Sequence, residues 1–204
     1  MSDQRRLVLL RHGRTAWNHV RRAQGQTDVD LDDVGREQAQ RVAPALAALE
    51  PARVWCSDLA RTRATAQPLL AATRLEASYD ARLREFHLGE REGMTYDEYA
   101  VAHPDEHARF ITGDFDAVRG GERTADVRAR MTAVLGELLE ATAPGELSVA
   151  VSHGAAIRVA TAALLGWPEG QFATLRGLDN CCWVELVDEP DRGVRLAAYN
   201  RSAT

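Results

Sequence analysis

The sequence predicts an α/β fold, a three-layer α/β/α sandwich around a mostly parallel, mixed sheet. Three observations carry that expectation. Short apolar runs at Leu7–Leu10, Arg53–Cys56 and Leu147–Val151 have the length and composition of buried strands. Segments with helical spacing separate them, as in parallel strands joined by crossover helices. Two later runs, Cys182–Leu186 and Val194–Ala198, flank the turn-rich stretch Asp188–Gly193 and read as a closing hairpin that makes the sheet mixed.

The elements follow in order. After the first strand comes a polar loop, His19–Asp30. Asp32 or Asp33 is placed to cap a helix whose apolar face is Ala39, Val42, Ala43, Leu46 and Leu49. Pro44 is expected to kink or shorten it. After the second strand, Ser57 or Asp58 is expected to cap a helix through Leu59–Ala64, and Leu75–Tyr79 is a third strand. Residues 80–121 are charged and rich in glycine and aromatics; they read as a cap-like insertion with one or two helices. Val127, Met131, Val134, Leu135, Leu138 and Leu139 define the clearest helix, which Pro144–Gly145 ends. Ala155–Leu165 forms the last helix. With no repeat, low-complexity tract or linker, residues 1–204 are expected to form a single domain.

Composition excludes several functions. The net charge of −5 argues against a general nucleic-acid or membrane-surface binder. All 25 basic residues are arginine, so Schiff-base lysine chemistry and a P-loop are ruled out. Cys56, Cys181 and Cys182 are odd in number and two are adjacent, so no disulfide framework is expected, and the last two are expected to be buried packing residues. The four-residue apolar run near the N-terminus is too short for a signal peptide or membrane span, so a cytoplasmic location is expected.

Two metal-like patterns fail on their own terms. Asp28-x-Asp30-x-Asp32 resembles a calcium loop, but Asp33 stands where glycine is needed and Ala39 where glutamate is needed. His103-Pro104-Asp105-Glu106-His107 matches a zinc-protease pattern that requires both histidines on one helix face; Pro104 fits a helix only in its first turn. No metal and no cofactor are expected.

The chemistry lies at two strand ends. The first strand runs into Arg11-His12-Gly13 and the one at 147–151 into Ser152-His153-Gly154. Ligands of open α/β sheets bind at the carboxyl ends of strands. Two His-Gly strand ends therefore suggest one site with two histidines, suited to a phosphoryl group.

Seven motifs occur in order: Leu10-Arg11-His12-Gly13-x-Thr15; Asn18; Gln24-Gly25; Ser57-x-Leu59-x-Arg61; Leu83-Arg84-Glu85 with Gly89 and Glu92-Gly93; Gly120-Gly121-Glu122; and Ser152-His153-Gly154. In these the chain resembles the histidine phosphatase superfamily, on its phosphoglycerate mutase-like branch. The resemblance implies a phosphoglycerate mutase-like fold and a metal-independent phosphomonoester hydrolase that works through phosphohistidine. It implies His12 as nucleophile and Glu85 as proton donor. Arg11 and Arg61 would clamp the phosphate, a cationic His153 would add a third donor, and Asn18, Gln24 and Gly154 would complete the phosphate site. Gly13 would leave room for phosphate against the backbone. Glu122 could be a helix-start carboxylate, and His19 and His87 receive no role.

The acid segment Arg84–Gly89 looks like that of the broad phosphatase branch, whereas mutases carry a longer insertion. Within that branch the chain resembles the actinobacterial glucosyl-3-phosphoglycerate phosphatases, through Gln24-Gly25-Gln26, Asn180-x-x-Trp183 and Tyr199-Asn200 among others. The implied partner is a small-molecule phosphate ester, with a phosphoglycerate mutase or a broad-specificity phosphatase as the alternatives. A homodimer is compatible with the resemblance. Arg14, Arg119 and Arg123 are candidates to meet a second anionic group at the rim.

Overall fold

In the computed structural model, which describes residues 3–203, the strands are β1 (Arg5–Arg11), β2 (Arg53–Cys56), β3 (Ala77–Tyr79), β4 (Leu147–Ser152), β5 (Trp183–Glu189) and β6 (Gly193–Arg201). They form one sheet in the order β3-β2-β4-β1-β5-β6. Neighbours among β1 to β4 are parallel, while β5 runs antiparallel to β1 and to β6. The sheet is thus mixed as expected, with the late hairpin as its antiparallel edge.

The apolar character of β1 and β4 follows from their position. Central parallel strands are covered on both faces and so need apolar residues without alternation. Every residue of β4 is buried. Along β1, Leu7 and Leu9 pack on one side and Val8 and Leu10 on the other. The first side is covered by α6 (Thr124–Ala141) and α7 (Gly154–Leu164). The second is covered by α2 (Asp33–Ala47) and α3 (Ala60–Thr73). This is the three-layer α/β/α arrangement.

Local chemistry corrects some boundaries. Asp32 caps α2 by accepting from Gly35 N–H, and the helix runs through Pro44 to Ala47. Pro44 does not stop it, because Ala39, Val42, Ala43 and Leu46 remain buried against the sheet; Leu49 falls beyond the helix. Neither Ser57 nor Asp58 caps α3. Its N-cap is Leu59, and the free Ala60 N–H donates to Asp28 Oδ1 at 2.7 Å, so a loop distant in sequence does the capping. A short helix, α1 (Ala16–His19), precedes the polar loop, closed by a Thr15–Asn18 capping box. Residues 80–121 contain α4 (Tyr96–Ala102) and α5 (Pro104–Phe110) with three 3₁₀ turns. They bury a cluster of their own, Tyr99, Phe110 and Val118.

The rejected metal patterns dissolve into ordinary partners. Asp28 caps α3, Asp30 pairs with Arg36, and Asp32 caps α2. Pro104 occupies the first turn of α5, His103 lies outside the helix, and Glu106 accepts from the Tyr99 hydroxyl and Arg119 N–H. Among the described residues, no helix is long and apolar enough to cross a membrane.

Candidate active site

The register of β1 against β4 sets Arg11 opposite Ser152. His12 and His153 are the next residues, so the sheet itself brings the two imidazoles together, with ring centroids 5.2 Å apart. His12 N–H continues the ladder to Ser152 O at 3.1 Å, and Ser57, just past β2, donates its N–H to Val151 O at 2.9 Å. Three adjacent carboxyl ends therefore converge on one spot.

His12 is buried, and its Nδ1 lies 2.7 Å from Gly13 O. A carbonyl only accepts, so Nδ1 carries the proton and Nε2 keeps its lone pair. Burial, then Arg61 and Arg11, push the His12 pKa well below the usual imidazole value. The ring is a neutral base with a free nitrogen among cations.

Arg61 is almost wholly buried. Its Nε donates to His153 Nδ1 at 3.2 Å, Nη1 to Thr27 O at 2.9 Å and Nη2 to Gly25 O at 2.7 Å. Each terminal nitrogen keeps one N–H for a ligand. Burial brings the Arg61 pKa down to about 10, against the opposing charges of Glu85, Asp28 and Glu92, so it remains a cation at neutral pH. Arg11 donates Nη1 to Leu178 O, and its buried Nε has no partner. Gly154 lets it sit there: a Cβ on Gly154 would lie 3.3 Å from Arg11 Nε.

Glu85 stands at the start of α7. Its Oε2 accepts from Ala155 N–H at 3.0 Å; its Oε1 accepts from Ala156 N–H at 2.9 Å and Phe86 N–H at 3.0 Å. The carboxylate thus answers the orphan donors of the helix's first turn. Arg130 fastens the preceding chain, donating to Arg82 O, Arg84 O and Glu85 O. Glu122 grips Arg130 at 2.7 Å, so it is an ion-pair partner rather than a helix-start carboxylate.

Asn18 and Gln24 each present a free amide N–H₂. Asn18 Oδ1 accepts from Thr15 N–H and Asn180 Nδ2, and Gln24 Oε1 accepts from the Thr15 hydroxyl. Arg11, His12, Asn18, Gln24, Arg61, Glu85 and Gly154 all line one cavity of about 340 Å³. That is a size suited to a small metabolite.

Several other expectations change. His153 does not line the cavity; it lies behind Arg61. Because Arg61 Nε can only donate, His153 Nδ1 accepts, and Nε2 donates to Ser57 Oγ at 2.9 Å. Burial, then Arg61 and His12, hold the His153 pKa well below its usual value, so the ring is neutral rather than cationic. Gly13 does not make room for phosphate: a Cβ there would meet Gly35 O at 2.6 Å, so it serves the close approach of α2.

The rim arginines also fail. Arg14 turns to Asp32 at 2.8 Å, Arg119 to Glu106 and Arg123 to Asp116, and none lines the cavity. Arg21, Arg22, Arg91 and Arg158 line it instead. Sequence reasoning misses these four because no motif marks them. Glu92 falls in a recognised motif but receives no role from the sequence; its carboxylate accepts from Leu88 and Gln26 N–H and the Thr27 hydroxyl. Burial alone would raise its pKa, but those hydrogen bonds hold it low. Glu92 thereby fixes the loop whose carbonyls hold Arg61.

The two depressed imidazoles imply a pH effect on stability. Below about pH 6.5 the unfolded chain protonates both histidines and the folded protein does not. The unfolded state binds more protons, so stability falls as pH drops through the ordinary imidazole range, with a slope that approaches about 1.4 kcal/mol per unit for each ring only well below pH 6.5. Urea unfolding should show this loss between pH 6.5 and 5; a flat profile there would contradict the neutral assignment.

The profile of the histidine phosphatase superfamily (branch 1) matches residues 7–201. The chain belongs to that superfamily, and it is a phosphatase. It is 41% identical over 215 residues to a glucosyl-3-phosphoglycerate phosphatase of Mycolicibacterium vanbaalenii, covering 98% of this chain and 96% of that one. It is 39% identical over 160 residues to phosphoglycerate mutase-like protein 4 of Arabidopsis thaliana, covering 76% and 69% respectively. The fold superimposes on a mycobacterial glucosyl-3-phosphoglycerate phosphatase solved with VO3 at a TM-score of 0.91, with 36% identity, covering 97% of this chain and 100% of that one.

Proposed function

We propose that this phosphatase hydrolyses small phosphate monoesters of the phosphoglycerate type, glucosyl-3-phosphoglycerate among them, through a phosphohistidine on His12. The observation that carries the reading is His12 itself: a neutral imidazole, its Nδ1 committed to Gly13 O, beside the free donors of Arg11 and Arg61. His12 Nε2 attacks phosphorus and the bond to the alcohol oxygen breaks. Glu85 gives that oxygen its proton; Oε2, which accepts only one N–H, has a lone pair left to carry it. Water then attacks phosphorus, Glu85 takes its proton, and the P–N bond breaks to free phosphate and restore His12.

Arg11, Arg61, Asn18 and Gln24 hold the phosphoryl oxygens, and Gly154 admits the Arg11 guanidinium. The charge that develops in the transition state falls on these fixed donors. His153 positions Arg61 through its Nδ1 and so supports the clamp from behind. Residues 80–121 supply Glu85 and the aromatic side of the cavity, and we place them with the rest of the chain in one catalytic domain. The three free thiols accord with a reducing cytoplasm.

Hydrolysis and mutase activity separate in one assay. On 3-phosphoglycerate, phosphate release should exceed exchange of the phosphoryl group between the 2- and 3-positions. Release should also survive a strong chelator, because arginines take the part that a metal would. Exchange outpacing release would make the enzyme a mutase; loss of release in EDTA, restored by zinc or magnesium, would overturn the metal-free mechanism.

A further inference from the structure

The cavity holds more positive charge than phosphate transfer uses. Arg22 is spoken for by Glu98 and Gly93 O. Arg91 and Arg158 are not: among the described residues no carboxylate pairs with either, and the buried Nε of each lacks a partner. Arg91 is only 4% exposed. Burial lowers the pKa of both guanidinium groups. Arg91 is held by the rings of Tyr96, Tyr99 and Phe110, and Arg158, half-buried, feels the charge of Glu85 without pairing with it; a partly desolvated cation with no paired carboxylate gains when a ligand brings one.

The placement is directional. Arg91 rests 4.0 Å over the Phe110 ring, which stacks on Phe115 at 4.7 Å; Phe115 meets Phe172 at 5.4 Å, and Arg158 lies 5.7 Å from the Phe172 ring. A guanidinium therefore stands at each end of a run of aromatic rings. Arg158 is on α7, one turn beyond the Ala155 and Ala156 N–H groups that hold Glu85. Its other contacts are weak ones, to Phe172 O at 3.4 Å and Ala173 O at 3.3 Å. Arg158 and Glu85 line the same cavity.

We propose that Arg158, with Arg91 at the far end of the aromatic run adding positive potential, forms a second anion subsite that binds a carboxylate on the alcohol part of the ester, so that the enzyme selects phosphate monoesters carrying a carboxylate a few bonds from the leaving oxygen. This rests on the phosphatase reading above and adds to it. The Arg158 guanidinium would take the carboxylate by paired N–H bonds, and the aromatic run would cover the carbon chain. It also relocates the rim charge that the sequence assigns to Arg14, Arg119 and Arg123.

The test compares kcat/KM on 3-phosphoglycerate, glycerol 3-phosphate and an aryl phosphate. The wild-type protein should favour 3-phosphoglycerate over glycerol 3-phosphate by roughly 10–100-fold, the range for a charge-assisted hydrogen-bonded contact. Arg158→Gln should collapse that ratio, mainly through KM, and Arg158→Lys should restore part of it. Arg91→Met should lower the same ratio; thermal unfolding checks that each variant folds. A measurement needing no variant is inhibition of aryl phosphate hydrolysis, where 3-phosphoglycerate should bind more tightly than glycerol 3-phosphate. An unchanged ratio in folded Arg158→Gln, or equal wild-type use and equal inhibition by the two esters, would overturn the subsite while leaving the phosphatase intact. A wild-type protein inactive on all three esters would instead overturn the phosphatase reading.

Discussion

Replacing His12 by alanine removes turnover by roughly 10⁴-fold or more, because no other group takes the phosphoryl. His153 cannot stand in. It lies outside the cavity, with one ring nitrogen on Arg61 and the other on Ser57. Brief mixing of the wild-type protein with labelled substrate should give an acid-labile, base-stable adduct, mapped to His12 and absent from His12→Ala. A variant that keeps most of its turnover, or an adduct on another residue, would end the mechanism. The fold should tolerate the change, since the His12 backbone N–H keeps Ser152 O and its O keeps Cys181 N–H and the Asn180 side-chain amide.

Glu85→Gln lowers kcat by roughly 10²–10⁴ on esters with poor leaving groups, the usual value of positioned acid–base catalysis. An aryl phosphate, whose leaving group needs little protonation, should lose far less. The substitution also has a structural cost. Glutamine has one acceptor oxygen, so its amide nitrogen must face a backbone N–H of Ala155 or Ala156 that glutamate now satisfies. That mismatch should cost about 1–2 kcal/mol of stability, readable by urea unfolding. It would slow both substrates alike, so the gap between the two substrates isolates proton transfer. Equal losses would assign Glu85 a purely structural part.

Chemistry tied to local order is legible in the sequence. His12 and His153 announce themselves because each ends an apolar run, and a shared sheet is what such runs build. The three layers follow for the same reason. What stays hidden depends on partners distant along the chain. Gly13 looks like a phosphate glycine until Gly35 is found against it. The cap of α3 looks local until Asp28 supplies it. Among 25 arginines, nothing nearby distinguishes Arg158, which is half-buried and lines the cavity, from Arg123, which is 71% exposed by side chain. A guanidinium's role is fixed by what surrounds it, and tertiary packing decides that.

The two ends of the cavity are made of different material. Arg11 and His12, with His153 behind them, are set by the hydrogen-bond ladder between two central strands, where a shift of one residue would exchange the side chains packed on the two buried faces. The far wall comes from short helices and 3₁₀ turns with a small cluster of their own. Inherited change is therefore channelled: substitutions in the far wall other than at Glu85 can redirect the enzyme to a new alcohol, while those in the ladder cost the fold before they can alter the reaction. A lineage built on this plan would diversify its substrates and keep its chemistry.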